Sequence, residues 1–199
     1  MKNFTLSLIV FLFNFSVIFG QVGIGTTSPS AQLEIDDSGS GLPALELNPQ
    51  TSPTGTADGQ IAVIGTELYL YDDKRGKWLS TQTIPLSFAR SGNRASGGLQ
   101  FGGNMNNQSS GPIMPFDGTI IAVTANSSGG TSDKEFQIRV RNGTTTNSSV
   151  SFNLSSNTYI DDKTNTDFSA GDYLVVRLID NGDGDVSQPT ATIWIKWRN

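Results

Sequence analysis

The chain contains neither cysteine nor histidine in its 199 residues. The first absence excludes disulfides and a thiolate nucleophile. The second removes the usual general base near neutral pH, and together they remove the commonest ligands of transition metals. Charge is also scarce. Asp, Glu, Lys and Arg make up 16% of the residues, against about 25% in an ordinary soluble domain. The 13 basic and 18 acidic residues give a formal net charge of -5. A nucleic-acid partner requires a basic footprint, which this balance does not supply, so none is expected. Helical periodicity is missing too: after residue 20 there is no sustained helical period and no long leucine-rich amphipathic run. Carboxylate chemistry, binding without chemistry, and a structural role remain open.

What is present begins with a leader. Lys2 precedes an apolar run from Phe4 to Phe19, broken only by Thr5, Ser7, Asn14 and Ser16, and followed by Gly20 and Gln21. This pattern reads as a secretory signal peptide over residues 1–20, since a spanning helix needs about 20 apolar residues and flanking anchors. Ile18 is large for a position two before the cut, so an uncleaved anchor is the rival reading. The expected location is secreted or on the outer cell surface, with no membrane span after cleavage. Without disulfides, an exported chain must be stabilised by core burial or oligomerisation.

The 22 glycines cluster with Asn, Ser, Thr and Pro between short alternating segments, the pattern of an all-β protein. A change of texture near Thr83–Ser87 divides a short-strand β stalk and oligomerisation segment, residues 21–85, from an antiparallel jelly-roll β-sandwich, residues 86–199. In the stalk, Gln60–Ile64 and Glu67–Tyr71 flank Gly65-Thr66, a two-residue type II′ hairpin turn in which glycine supplies the positive φ. A second turn at Asp73–Gly76 leads to Lys77–Leu79. About fifty residues of such strands bury little alone, so the segment packs on the following domain or is completed by other copies of the chain.

In the sandwich, Phe136, Ile138 and Val140 alternate with polar residues, as do Val150, Phe152 and Leu154. Each is a half-buried strand. Residues 120–123, 173–179 and 193–197 instead look apolar on both faces. A two-layer sandwich has one inner face per sheet. The expectation is therefore a subunit interface at Ile121, Val123, Tyr173, Val175, Ile179 and Trp194.

Asp180-Asn181-Gly182-Asp183-Gly184-Asp185 is the densest acidic loop. Calcium would draw on Asp180, Asp183 and Asp185, but Val186 and Thr192 stand where an EF-hand needs Gly and Glu. A solvated hairpin loop fits the same residues. Tyr159, Asp161 and Asp162 lie in a polar loop region and are the candidate ligand-binding residues. A glycosidase needs two carboxylates across a cleft; Asp161, Asp162, Asp172 and Asp183 are present, without evident pairing. No cofactor other than calcium is expected.

Gln21-Val22-Gly23-Ile24-Gly25-Thr26-Thr27-Ser28-Pro29 through Ile35 resembles a motif of tail-fibre-like exported surface proteins of Bacteroidota-type bacteria, where it lies in a slender intertwined stalk. Residues 86–199 resemble the trimeric jelly roll of the complement globular-head and tumour-necrosis-factor-like superfamily, through Met114-Pro115-Phe116-Asp117-Gly118-Thr119-Ile120, Phe168–Leu174 and Ala191–Ile195. The resemblance implies a homotrimer with late strands near its axis, and apical loops that in some members hold calcium. The combined expectation is an exported, non-enzymatic structural or adhesive fibre protein, self-associating as a trimer or filament. The alternatives are a carbohydrate-binding module, calcium-assisted through the loops at 156–167 and 180–188, whose partner is a glycan or surface receptor, and a hydrolase using Asp172 or Asp183.

Overall fold

The computed structural model describes residues 20–38, 41–102 and 110–199. Of the expected signal peptide, residues 1–19 lie outside this range. No helix occurs among the described residues, and the sheets are predominantly antiparallel, so the chain is all-β. It forms two compact units, one ending at Asn48 and one from Pro49 to Asn199.

In the first unit β1 (Val22–Ile24) and β2 (Leu33–Ile35) pair in parallel. In the second, the chain passes through β3 (Ile61–Ile64), β4 (Glu67–Asp72), β5 (Lys77–Ser80), β6 (Ile84–Ala89), β7 (Asn93–Arg94), β8 (Gly97–Gly98) and β9 (Gln100–Phe101). It continues through β10 (Gly118–Asn126), β11 (Gly129–Gly130), β12 (Glu135–Asn142), β13 (Thr145–Asn153), β14 (Thr158–Asp161), β15 (Thr166–Phe168), β16 (Tyr173–Leu178), β17 (Val186–Ser187) and β18 (Thr190–Trp197).

Two sheets form a sandwich: one has the order β14-β10-β18-β6-β9, with β15 also on β10, and the other β13-β12-β16-β8. Alternation sends Phe88, Ile120, Val123, Ile193 and Ile195 from the first sheet, and Phe136, Ile138, Val140, Leu174, Val176 and Leu178 from the second, into one shared core. Phe152 lies between Phe136 and Tyr159, stacked on both at 5.5 and 4.2 Å.

The third sheet, β3-β4-β5, contains the expected hairpin: Ile64 pairs with Glu67, and Gly65 alone of the two turn residues has positive φ, 62°. This sheet packs on the sandwich within one chain. Arg75, at the β4–β5 turn, donates to the carbonyls of Ile121, Asp162 and Thr164. Trp197 donates its backbone N–H to Ser80 Oγ at 3.0 Å.

The two-faced strands have a different explanation from the expected subunit interface. The β10–β18 register shifts between Ile120 and Ala122. A bulge adds one residue and changes the side-chain phase, so Ile120 and Val123, three positions apart, both reach the core. Val123, Tyr173 and Val175 are buried within the single chain and have no surface left for a neighbour. Tyr173 lies under the Arg141 guanidinium and bridges to Ile113, and Val175 faces Arg139 across the ladder. Long arginine stems cover apolar surface while their heads stay wet. Ile121, Ile179 and Trp194 remain half-buried.

Candidate functional site

The acidic residues singled out above are occupied in ways the sequence hides. Asp183 forms an ion pair with Lys134, whose side chain is 0% exposed and which also donates to the Gly184 carbonyl at 3.0 Å. The Asn181 amide, in the orientation that satisfies its neighbours, donates to both Asp183 oxygens at 2.7 and 2.8 Å. Asp183 is thus the counter-ion of a buried cation. Asp180 accepts from the Gly182 N–H at 3.3 Å and Asp185 is exposed. Among the described residues no three carboxylates converge on a point that would hold a metal ion.

Asp172 is 3% exposed and accepts from the Asn142 and Asn147 amides and the Ser169 N–H. These bonds hold the turn before β16 and leave the carboxylate engaged. Asp161 likewise closes its own loop, accepting from the Lys163 N–H and the Thr164 hydroxyl, while Asp162 is exposed. Tyr159 is half-buried against Phe152 and borders a shallow groove of about 340 Å³ with Thr124, Asn126, Thr158 and Thr192. Burial, with a smaller contribution from the Asp161 charge, raises its phenol above the ordinary value of 10.0.

A larger cleft, about 580 Å³, was not foreseen from the sequence. It lies where β4 approaches the end of β18, and is lined by the rings of Tyr69, Phe116 and Trp197 with Glu67, Asp117 and Arg198 around them. That volume falls within the usual range for small-ligand sites, roughly 300–1,000 Å³. Phe116 is 60% exposed and meets Trp197 edge to face at 5.5 Å; Phe168 supports Trp197 from behind, also edge to face, at 6.3 Å.

The polar rim of this cleft is held in place. Asp117 accepts from the Ala170 N–H at 2.9 Å and lies 3.7 Å from Arg198, which is 3.6 Å from Asp167. Burial opposes ionisation of Asp167, but hydrogen bonds from Lys77 and Thr119 and the charges of Lys77 and Arg198 outweigh it and hold the carboxyl below its ordinary value. Burial, and secondarily Glu67, raises the Tyr69 phenol. An apolar floor with a fixed polar rim suits a ligand with one flat apolar face and hydroxyls at its edge. The lining residues come from three distant stretches, so only the aromatic content of each stretch could have signalled the cleft.

No family model and no curated protein matches the sequence. Among solved structures, PRD1 vertex protein P5 is similar at 15% identity and a TM-score of 0.35, over 58% of this chain and 96% of that one. No match supports the tail-fibre-like or the tumour-necrosis-factor-like resemblance specifically, and at this level of similarity no function is transferred.

Proposed function

We propose that the protein is an exported, non-enzymatic surface protein that self-associates through its N-terminal unit, as a homotrimer, and presents the sandwich for attachment. The observation that carries this reading is the exposure of aliphatic side chains before Asn48. Val22, Ile24, Leu33, Leu42, Leu45 and Leu47 are 55%, 54%, 58%, 70%, 64% and 39% exposed. The regular structure there is a parallel pair of three-residue strands, and an isolated pair so short is not stable in water. Each aliphatic side chain fully buried contributes about 1.5–3 kcal/mol. Six per chain are of the size needed to offset the roughly 4–15 kcal/mol cost of association.

Several chains side by side would cover these residues and the open strand edges together, and repeated weak contacts by the heads would add as avidity. The engagement of Asp172 and Asp183 in structural bonds supports the non-enzymatic part. A variant carrying Val22→Ser, Ile24→Ser and Leu33→Ser is expected to have a lower solution mass than the unaltered protein at equal concentration. Equal masses would contradict the proposal.

A second reading, a carbohydrate-binding module, is favoured by the aromatic cleft beside Trp197. On a glycan array the expected result is binding that Phe116→Ala weakens by roughly tenfold, equivalent to about 1.4 kcal/mol. Persistence of that signal in a chelator would assign it to the cleft and away from a calcium-assisted loop at 180–188. An unchanged signal for Phe116→Ala would remove the cleft.

A further inference from the structure

The outward face of β12 and β16 carries a cationic strip that shares no residue with the cleft. Because residues 136, 138, 140, 174, 176 and 178 fill the core, Gln137, Arg139 and Arg141 share the opposite face with Tyr173, Val175 and Arg177. The register sets Gln137 against Arg177, Arg139 against Val175 and Arg141 against Tyr173. Three guanidinium-bearing positions therefore run diagonally over two adjacent strands, with about 6.6 Å between alternate residues and about 4.8 Å between strands. On the far side of β12, β13 sets Ser149 opposite Arg139 and Ser151 opposite Gln137.

Such crowding of like charge is unfavourable in the free protein. Burial, and then the charges of Arg177 and Arg141, hold Arg139 below the ordinary arginine value. Arg139 and Arg177 are half-buried, and neither forms an ion pair with an acidic side chain among the described residues. Arg139 donates through Nε to Gln137 Oε1 at 2.6 Å, and the buried Nε of Arg177 has no hydrogen-bond partner among the described residues. Arg141 lies deeper, donating to the Thr144 carbonyl at 2.7 Å beside the Tyr173 ring. In a chain of net charge -5 with 13 cations, this concentration is a local exception.

We propose that the strip is a docking surface for an anionic polysaccharide, one bearing carboxylate or sulfate groups along an extended chain. A guanidinium fork matches both oxyanions in two-point fashion. Gln137, Arg139 and Arg177 are the half-exposed members of this face, and the Ser149–Ser151 row supplies hydroxyls beside the charges. Three guanidinium groups are few against the roughly 6–10 closely spaced phosphates that a nucleic-acid site neutralises, which disfavours a nucleic acid.

The test is titration calorimetry of the full protein with polygalacturonate and with dextran sulfate, unmodified dextran being the neutral control. At least one polyanion is expected to bind, more weakly as salt rises, and dextran is not. Arg139→Gln combined with Arg177→Gln should lower the affinity roughly tenfold or more while thermal unfolding stays cooperative, since neither side chain has an acidic partner to lose. Arg177→Lys, which keeps the charge but not the fork, should fall between. The proposal is overturned by unchanged polyanion binding in the double variant, by equal binding of a single-stranded oligonucleotide, or by a fall in solution mass of the double variant, which would give the strip to a second copy of the chain.

Discussion

Replacement of Asp183 by alanine is expected to destabilise the protein by about 3–5 kcal/mol, the size seen when one partner of a buried pair is removed. The physical reason lies in Lys134. Its ammonium is fully enclosed and has two oxygen partners, the Asp183 carboxylate and the Gly184 carbonyl. Without Asp183 a full charge stays in the interior on one neutral acceptor. At about 2–4 °C per kcal/mol for a unit of this size, the midpoint of thermal unfolding should fall by roughly 10 °C.

The reverse change is gentler. Lys134→Met removes the buried charge and leaves a carboxylate that is 16% exposed and still bonded by the Asn181 amide, so its cost should be less than half that of Asp183→Ala. Adding Asp183→Asn to Lys134→Met should bring stability back towards that of the unaltered protein. If Asp183→Ala costs less than about 1 kcal/mol, the typical value of an exposed pair, the ion pair is solvated and this account of the loop fails.

Arg75→Ala is expected to cost about 3–4 kcal/mol and to loosen the β3–β5 sheet first. Its guanidinium is paired with Asp72 at 2.7 Å and donates to three sandwich carbonyls, those of Ile121 and Asp162 at 2.8 Å and of Thr164 at 3.0 Å. Bonds to a charged group contribute about 1.5–3 kcal/mol each before the losses overlap. The Ile121 carbonyl belongs to the bulge in β10, where ladder bonding is interrupted, so Arg75 satisfies an acceptor the sheet leaves free.

Lysine has no planar fork and cannot serve three carbonyls from one position. Arg75→Lys should therefore recover less than half of the loss. Chemical denaturation gives the magnitude. Limited proteolysis should show faster cleavage between Pro49 and Ser80 than in the rest of the unit. An Arg75→Lys protein as stable as the unaltered one would show that charge alone joins the two sheets.

Local patterns were readable from the residues; cross-chain partnerships were not. The alternation over 135–141 and 149–155 produced β12 and β13 in register, and Gly65-Thr66 produced its turn. The bulge at Ile121 was invisible because a one-residue insertion leaves the composition unchanged while inverting which side chains face inward. It made a normal strand look two-faced. The placing of the Arg141 guanidinium over Tyr173 and of Arg139 opposite Val175 was hidden for a similar reason: alternation assigns arginine to the wet face without showing which neighbour it lies against.

The candidate calcium loop illustrates the same limit. Nothing near Asp183 in sequence points to Lys134, 49 positions earlier. The cleft beside Trp197 draws Tyr69, Phe116 and Trp197 from three separate stretches. A chain without an obvious catalytic signature can still build such a site, because it arises where two sheets meet.

The most direct test of self-association is the absolute mass of the protein in solution, by light scattering on a sizing column. Three chain masses are the predicted result, with the exposed aliphatic residues before Asn48 covered by the other copies. One chain mass, holding as concentration is raised, would contradict the account and leave Val22, Ile24, Leu33, Leu42, Leu45 and Leu47 to some other partner.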